Sequence, residues 1–549
     1  MTETQTTGIP DPEGPTDIIE TDYEIGQDNV QRRMGALSFD VHNPVFAISG
    51  LVIVAFVILT LAMQNEADAF FTGLRDWLTA NLDWFFLIAG NIFVLVCVAV
   101  IVLPWGSIRI GGREATPDFS YSAWFAMLFA AGMGIGLMFY GVAEPIGHYD
   151  AAFGGIAGEG GARTDWAPLG GAAGDSEAAR RLAMAATIFH WGLHPWAIYG
   201  VVALGLALFA YNKGLPLTMR SIFYPVFGER VWGWPGHVID ILAVFATLFG
   251  LATSLGLGAQ QANAGLNFLF GMPDTDTSRV LLIIGITAIA TLSIIAGLDA
   301  GVRRLSEINM VLAALLLLFV ILTGPTLTII KAFFLNLGAY VEHLPALANP
   351  FGREDDNFRQ GWTAFYWAWW ISWSPFVGMF IARVSRGRTV REFMIAVLLI
   401  PSLVSVVWMT SFGGTAISLI GEGFTDITDS ALELKLFAML SHLPLTAITS
   451  FVGIILVVVF FCTSSDSGSL VIDTITAGGK VDAPVAQRIF WAVFEGLVAI
   501  ALLLGGGLAA LQAASVSTGL PFAIVLLLGC YALIRGLMAE PRGAVSGRS

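Results

Sequence analysis

The chain has 549 residues, 56% of them hydrophobic and only 12% charged, and its mean hydropathy of +0.76 excludes an ordinary water-soluble globular protein. A net charge of −14 argues against a nucleic-acid partner, and the three cysteines lie in apolar stretches with no spacing that suits a disulfide framework or a zinc site. No Ser/His/Asp order, metal-type histidine cluster or phosphate loop is visible, so the sequence points to no enzymatic chemistry and to no cofactor.

Residues 1–43 carry Glu3, Asp11, Glu13, Asp17, Glu20, Asp22, Glu24 and Asp28 and are expected to form a disordered acidic tail. Twelve apolar spans follow, near 45–63, 84–103, 120–144, 184–211, 237–260, 279–297, 309–331, 361–383, 392–419, 442–465, 489–507 and 519–538. Together they define an all-α polytopic membrane domain over 44–538, with a short tail at 539–549. About two thirds of the 27 lysines and arginines fall on the segments that twelve spans put on the same side as the amino terminus. That bias predicts that both termini are cytoplasmic.

The third span is expected to break. Gly132, Gly134 and Gly136 fall within five residues, and each glycine costs a helix interior roughly 1 kcal/mol relative to alanine. Loosened backbone at bilayer depth is tolerated where it lines a cavity or binds something, although Gly132 and Gly136 also form a small-xxx-small packing pair. Residues 151–182, rich in Gly and Ala, read as a connector. The fourth span opens on Trp191, Trp196 and Tyr199 beside Pro195, which predicts a kinked helix whose rings form either a binding wall or interfacial anchors.

In the fifth span, hydroxyls such as those of Thr247 and Thr253 either bond their own helix or face a hard cation. Residues 332–358 read as an amphipathic segment outside the membrane. The eighth span carries Trp367, Trp369, Trp370 and Trp373, too continuous for an interfacial belt. Indole faces attract cations by ~2 kcal/mol or more when desolvated, and a cage of them suits a quaternary ammonium. The tenth span ends in Thr463, Ser464, Ser465, Asp466 and Ser467, oxygens that suit sodium or simply cap a helix.

In order along the chain, the segments 132–136, 191–199, 365–376 continuing into Arg383–Arg388, and 463–467 resemble the signature segments of the betaine/choline/carnitine transporter family. The resemblance runs from about 44 to 538. It implies a LeuT-like fold of two inverted five-helix repeats, about 118–332 and 360–538, preceded by two extra helices. It implies that Trp191, Trp196, Tyr199 and Trp370 box a trimethylammonium group, with Trp369 in the same site and Phe365 and Trp373 along the inward path. Gly132, Gly134 and Gly136 would then meet a carboxylate.

The resemblance further implies a sodium ion held by the carbonyls of Ala130, Met133 and Phe460 and the hydroxyls of Thr463 and Ser464. Met310 stands where sodium-independent members carry arginine. Thr247 and Phe376 are candidates for a second sodium site, although Leu251 replaces the second threonine of that pattern. Gly136 replaces the aspartate of choline-selective members.

The expected function is therefore a sodium-coupled symporter that imports glycine betaine or a similar compatible solute, by alternating access about broken third and eighth spans. Transport of ectoine, carnitine, proline or dimethylsulfoniopropionate, and sodium-independent exchange, are the alternatives. The expected partners are the zwitterion, sodium, the lipid bilayer and, by resemblance, two further copies in a homotrimer of the bacterial or archaeal inner membrane.

Overall fold

The computed structural model describes residues 9–35, 37–154, 168–296 and 299–541. Among these, the one sheet is an antiparallel hairpin of β1 (Asn29–Met34) and β2 (Leu37–His42). The principal helices then run α1 (Asn43–Ala62), α2 (Gln64–Val102), α3 (Tyr121–Gly132), α4 (Ile135–Gly154), α5 (Ser176–Trp191) and α6 (Leu193–Ala207). They continue with α7 (Trp234–Phe270), α8 (Asp276–Ile295), α9 (Asp299–Thr323), α10 (Thr326–Ala348), α11 (Ala364–Val384) and α12 (Val390–Gly421). Last come α13 (Thr446–Thr476), α14 (Val485–Leu504) and α15 (Gly507–Ala539). The protein is an all-α polytopic membrane protein.

Among the described residues ten helices are long and apolar enough to cross a membrane, α5 and α6 counted as one, or eleven if α3 and α4 form one bent span, against the twelve expected. Helix α11 is not among them despite its 21 residues, because serines, tryptophans and a proline keep its hydropathy low. Its burial explains the composition. It packs on α6, α7 and α15, so it has little lipid to face. The same logic orders the rest of the bundle: the most apolar 18-residue stretch is 94% buried in α5–α6 and 83% buried in α7, whereas in α8 and α9 it is only 22% buried, so these two form the rim.

Several helix starts are dictated locally. Ser120 accepts from Ala123 N to cap α3, Asp175 accepts from Glu177 N and Ala178 N to cap α5, and Thr389 with Glu392 forms a capping box on α12.

Three expectations need correction. The described part of the acidic tail is structured: Asp17 pairs with Lys213 at 2.7 Å, Glu13 with Arg386 at 2.5 Å and Asp40 with Lys480 at 2.6 Å, while Tyr23 stacks on Trp232 at 4.3 Å. Its charges find basic partners on loops between helices, a term that composition cannot register. The fourth span kinks at Gly192, between α5 and α6, and not at Pro195. Pro195 sits in the first turn of α6, where a missing N–H costs nothing. The amphipathic helix α10 begins at Thr326, after Gly324 and Pro325, inside the stretch assigned to the seventh span. Of the connector at 151–182, residues 155–167 lie outside the described residues.

Candidate functional site

Helix α3 ends at Gly132 and α4 begins at Ile135, with a 63° bend between them. Met133 is extended there, at φ −95° and ψ 135°, and its N–H reaches back to the Ala130 carbonyl at 3.2 Å. Gly136 begins the next turn in a tight space: a Cβ at that position would stand 3.0 Å from the rings of both Trp191 and Trp369, which would have to give way. Glycine therefore does two things here. It stops one helix and lets the next press its backbone against indoles.

Against this break lies a cavity of about 300 Å³. Its walls are the residues from Ala130 to Leu137, the aromatic residues of α5, α6 and α11, and the hydroxyl-bearing middle of α13, which continues to Thr476 and so is not capped by Thr463 or Ser464. Trp191 and Trp370 meet edge to face at 5.0 Å, Trp196 and Tyr199 at 5.2 Å, and Tyr199 and Trp370 at 6.3 Å. Trp369 stacks on Trp370 at 4.9 Å. Rings at right angles present faces from several sides, the arrangement that holds a quaternary ammonium.

The indole N–H groups point elsewhere. Trp191 donates to Glu144 Oε2 at 2.6 Å, Trp369 to Ser254 Oγ at 3.2 Å, Trp370 to the His190 carbonyl at 3.0 Å and Trp373 to the Gly250 carbonyl at 2.9 Å.

Of the residues expected at the site, Gly132, Gly134, Gly136, Trp191, Trp196, Tyr199, Trp369, Trp370 and Trp373 all line this one cavity. So do Ala130, Met133, Phe460, Thr463, Ser464 and Phe376. Two do not. Phe365 is buried behind the wall, stacked on Trp369 at 5.4 Å. Thr247 donates to the Ala243 carbonyl of its own helix at 2.7 Å, and Thr253 donates to Phe249 and Leu511 carbonyls, each at 2.9 Å. Their oxygens serve backbone, as hydroxyls inside helices do by default.

Helix α11 is also unbroken, where a break is expected. Pro375 removes the donor that would bond the Ile371 carbonyl, and the Ser374 hydroxyl supplies one at 2.7 Å.

Sequence reasoning missed the support behind the cage. Glu144, His148 and His190 are buried with their ligand-type atoms within 4.8 Å of one another, a cluster invisible in the sequence because 46 positions separate Glu144 from His190. They are joined by hydrogen bonds among themselves. Ser306 and Asn309 of α9 line the cavity as well, from a span that reads as featureless apart from Met310.

A model of a family described as BCCT, betaine/carnitine/choline family transporter, matches residues 44–542. A glycine betaine/proline/choline transporter of Vibrio parahaemolyticus is 67% identical over 97% of this chain and 97% of its own length. Glycine betaine transporter 1 of the same organism is 55% identical, over 95% of this chain and 98% of its own length. The glycine betaine transporter OpuD of Bacillus subtilis is 42% identical, over 91% and 94%.

Proposed function

Since the chain belongs to the betaine/carnitine/choline transporter family and is a transporter rather than an enzyme, we propose that it imports glycine betaine by sodium-coupled symport. The observation that carries this reading is the cage: aromatic faces meet at right angles while four neighbouring indole N–H groups are already bonded to protein acceptors. A trimethylammonium group has no N–H to donate and needs only faces. The secondary ammonium of proline would instead bring N–H donors into a box poor in acceptors.

The names of the relatives support the same substrate class. Relatives that also carry proline, choline or ectoine keep those solutes, with carnitine and dimethylsulfoniopropionate, as the runner-up substrates.

Sodium coupling is supported by the convergence on one cavity of Ala130, Met133, Phe460, Thr463 and Ser464; the Thr463 hydroxyl donates to the Val459 carbonyl at 2.9 Å, which leaves its lone pairs for an ion. Met310, an uncharged side chain, lines the same space, which favours an ion over a built-in cation and so disfavours sodium-independent exchange. The burial of Thr247 away from the cavity favours one sodium over two. In this reading the glycine break meets the substrate carboxylate with freed N–H groups. Alternating access moves an inverted-repeat scaffold, about 118–332 against 360–538, around the site.

The acidic tail touches the loops at Lys213, Arg386 and Lys480, and Lys213 in turn pairs with Glu540 just past α15. Those contacts support an even number of spans with both termini on the cytoplasmic side of an inner membrane.

The test is uptake of radiolabelled glycine betaine into proteoliposomes of the purified protein, with an inward sodium gradient and with potassium in its place. The expected result is uptake that requires sodium and is competed weakly by choline, with Ser464→Ala shifting the sodium dependence before the substrate dependence. Uptake indifferent to the cation would make the protein an exchanger.

A further inference from the structure

Glu144 belongs to the stretch that breaks the third span, yet the transport reading gives it no task. It lies fully buried on α4, just behind the cage. Its Oε1 meets His190 Nδ1 at 2.6 Å and His148 Nε2 at 3.3 Å, while its Oε2 accepts from Trp191 Nε1 at 2.6 Å and from the Tyr366 hydroxyl at 2.5 Å. One carboxylate thus ties the outer half of the broken helix to α5 and α11, both of which carry cage rings.

The charge is as notable as the geometry. His190 Nε2 lies 2.9 Å from the Thr363 hydroxyl, so a neutral imidazole that donates from Nδ1 and accepts at Nε2 meets both contacts; the tautomer is assigned from those partners. Among the described residues no lysine or arginine bonds to Glu144, and the nearby Arg353 is paired with Asp355. The titratable groups that face it are His148 and His190; with both imidazoles neutral, a carboxylate buried within a membrane keeps a charge that calls for a cation close by. The space where a cation would fit is the cage, on the far side of Trp191.

We infer that Glu144 determines specificity: its negative charge, held behind Trp191 and Tyr366, gives the aromatic box its preference for a permanently cationic headgroup over an uncharged one of the same shape. The inference rests on the glycine betaine reading and deepens it. Two effects act together. Coulomb attraction reaches across the indole through low dielectric. Hydrogen bonding of an indole N–H and a phenol O–H to an anion also polarises those rings, making their faces more negative.

The experiment compares glycine betaine with 3,3-dimethylbutanoate, which keeps the carboxylate and the shape but replaces nitrogen by carbon. Affinities for both are measured by tryptophan fluorescence on the full-length protein in nanodiscs with sodium. The wild type is expected to prefer betaine, and Glu144→Gln to reduce that preference at least tenfold, since the amide nitrogen can face His190 in its other tautomer and leave the rings in place.

If both ligands weaken alike and the ratio holds, Glu144 serves only shape and the inference is overturned. A wild type with no preference would overturn the betaine reading itself. Should Glu144→Gln not accumulate, Glu144→Asp tests the same claim: the charge stays while the fit of the shorter side chain is lost, so both affinities should fall but their ratio should hold within about twofold, and a ratio that collapses as shape alone would demand overturns it.

Discussion

At α3–α4 the backbone opens: Met133 leaves the helix, the chain bends by 63°, and residues 130–137 line the cavity, Gly132, Gly134 and Gly136 among them with only backbone to offer. At α11 the opposite holds. The backbone stays helical even through Pro375, because Ser374 mends the missing bond, and the residues it sets against the cavity are mainly aromatic. One region therefore offers dipoles and the other offers ring faces. The contrast matches the two ends of a zwitterion, a carboxylate that wants N–H donors and an onium that wants none. It also teaches that unusual composition does not imply unusual backbone: glycines broke their helix, whereas tryptophans with a proline did not.

The largest expected effect tests the ring side of this contrast. Trp370→Ala removes a desolvated face worth ~2 kcal/mol, so the KM for glycine betaine should rise about thirtyfold with little change in sodium dependence. An unchanged KM in the uptake assay would mean that α11 supplies scaffold alone. A smaller effect is expected where the two regions touch. Gly136→Ala would put a methyl 3.0 Å from Trp191 and Trp369, and the rings must give by a few tenths of an ångström. Mild overpacking costs ~1 kcal/mol, or about a fivefold rise in KM. If Gly136→Ala exceeded Trp370→Ala in effect, the backbone would be the dominant recognition element.

Legibility in the sequence followed the range of the signal. Membrane-crossing stretches and the break at 132–136 are local patterns, and the structure places a helix on each stretch, although α2, α7, α13 and α15 run well beyond the expected bounds. The ring cluster was legible because Trp191, Trp196 and Tyr199 sit on one kinked segment and the other tryptophans on one helix. What failed was anything requiring a distant partner. The acidic tail reads as unpartnered because Lys213, Arg386 and Lys480 are hundreds of residues away, whereas the local bond of Thr247 to Ala243 is the default of the two readings its sequence allows. Glu144 was available as a signal, a carboxylate within an apolar span, and such a residue is a site candidate by default.

The smallest expected effect is at Gly134, and it sharpens the comparison most. No heavy atom lies within 4 Å of a Cβ built there, and the residue is not in the left-handed region, so alanine meets neither a clash nor strain in this conformation. Alanine also narrows the unfolded ensemble, a gain of ~0.4–1 kcal/mol at compatible sites. If the break is a fixed shape, Gly134→Ala should leave the KM for glycine betaine within about twofold and raise thermal stability slightly. If the break must instead change its dihedrals as the site turns from one face of the membrane to the other, the same substitution will leave equilibrium binding intact and slow transport, because alanine resists the alternative conformations that glycine allows. Measuring binding and uptake on one preparation separates the two cases. A loss confined to uptake would make α3–α4 the moving part of the site, against which the unbroken α11 acts as the fixed wall.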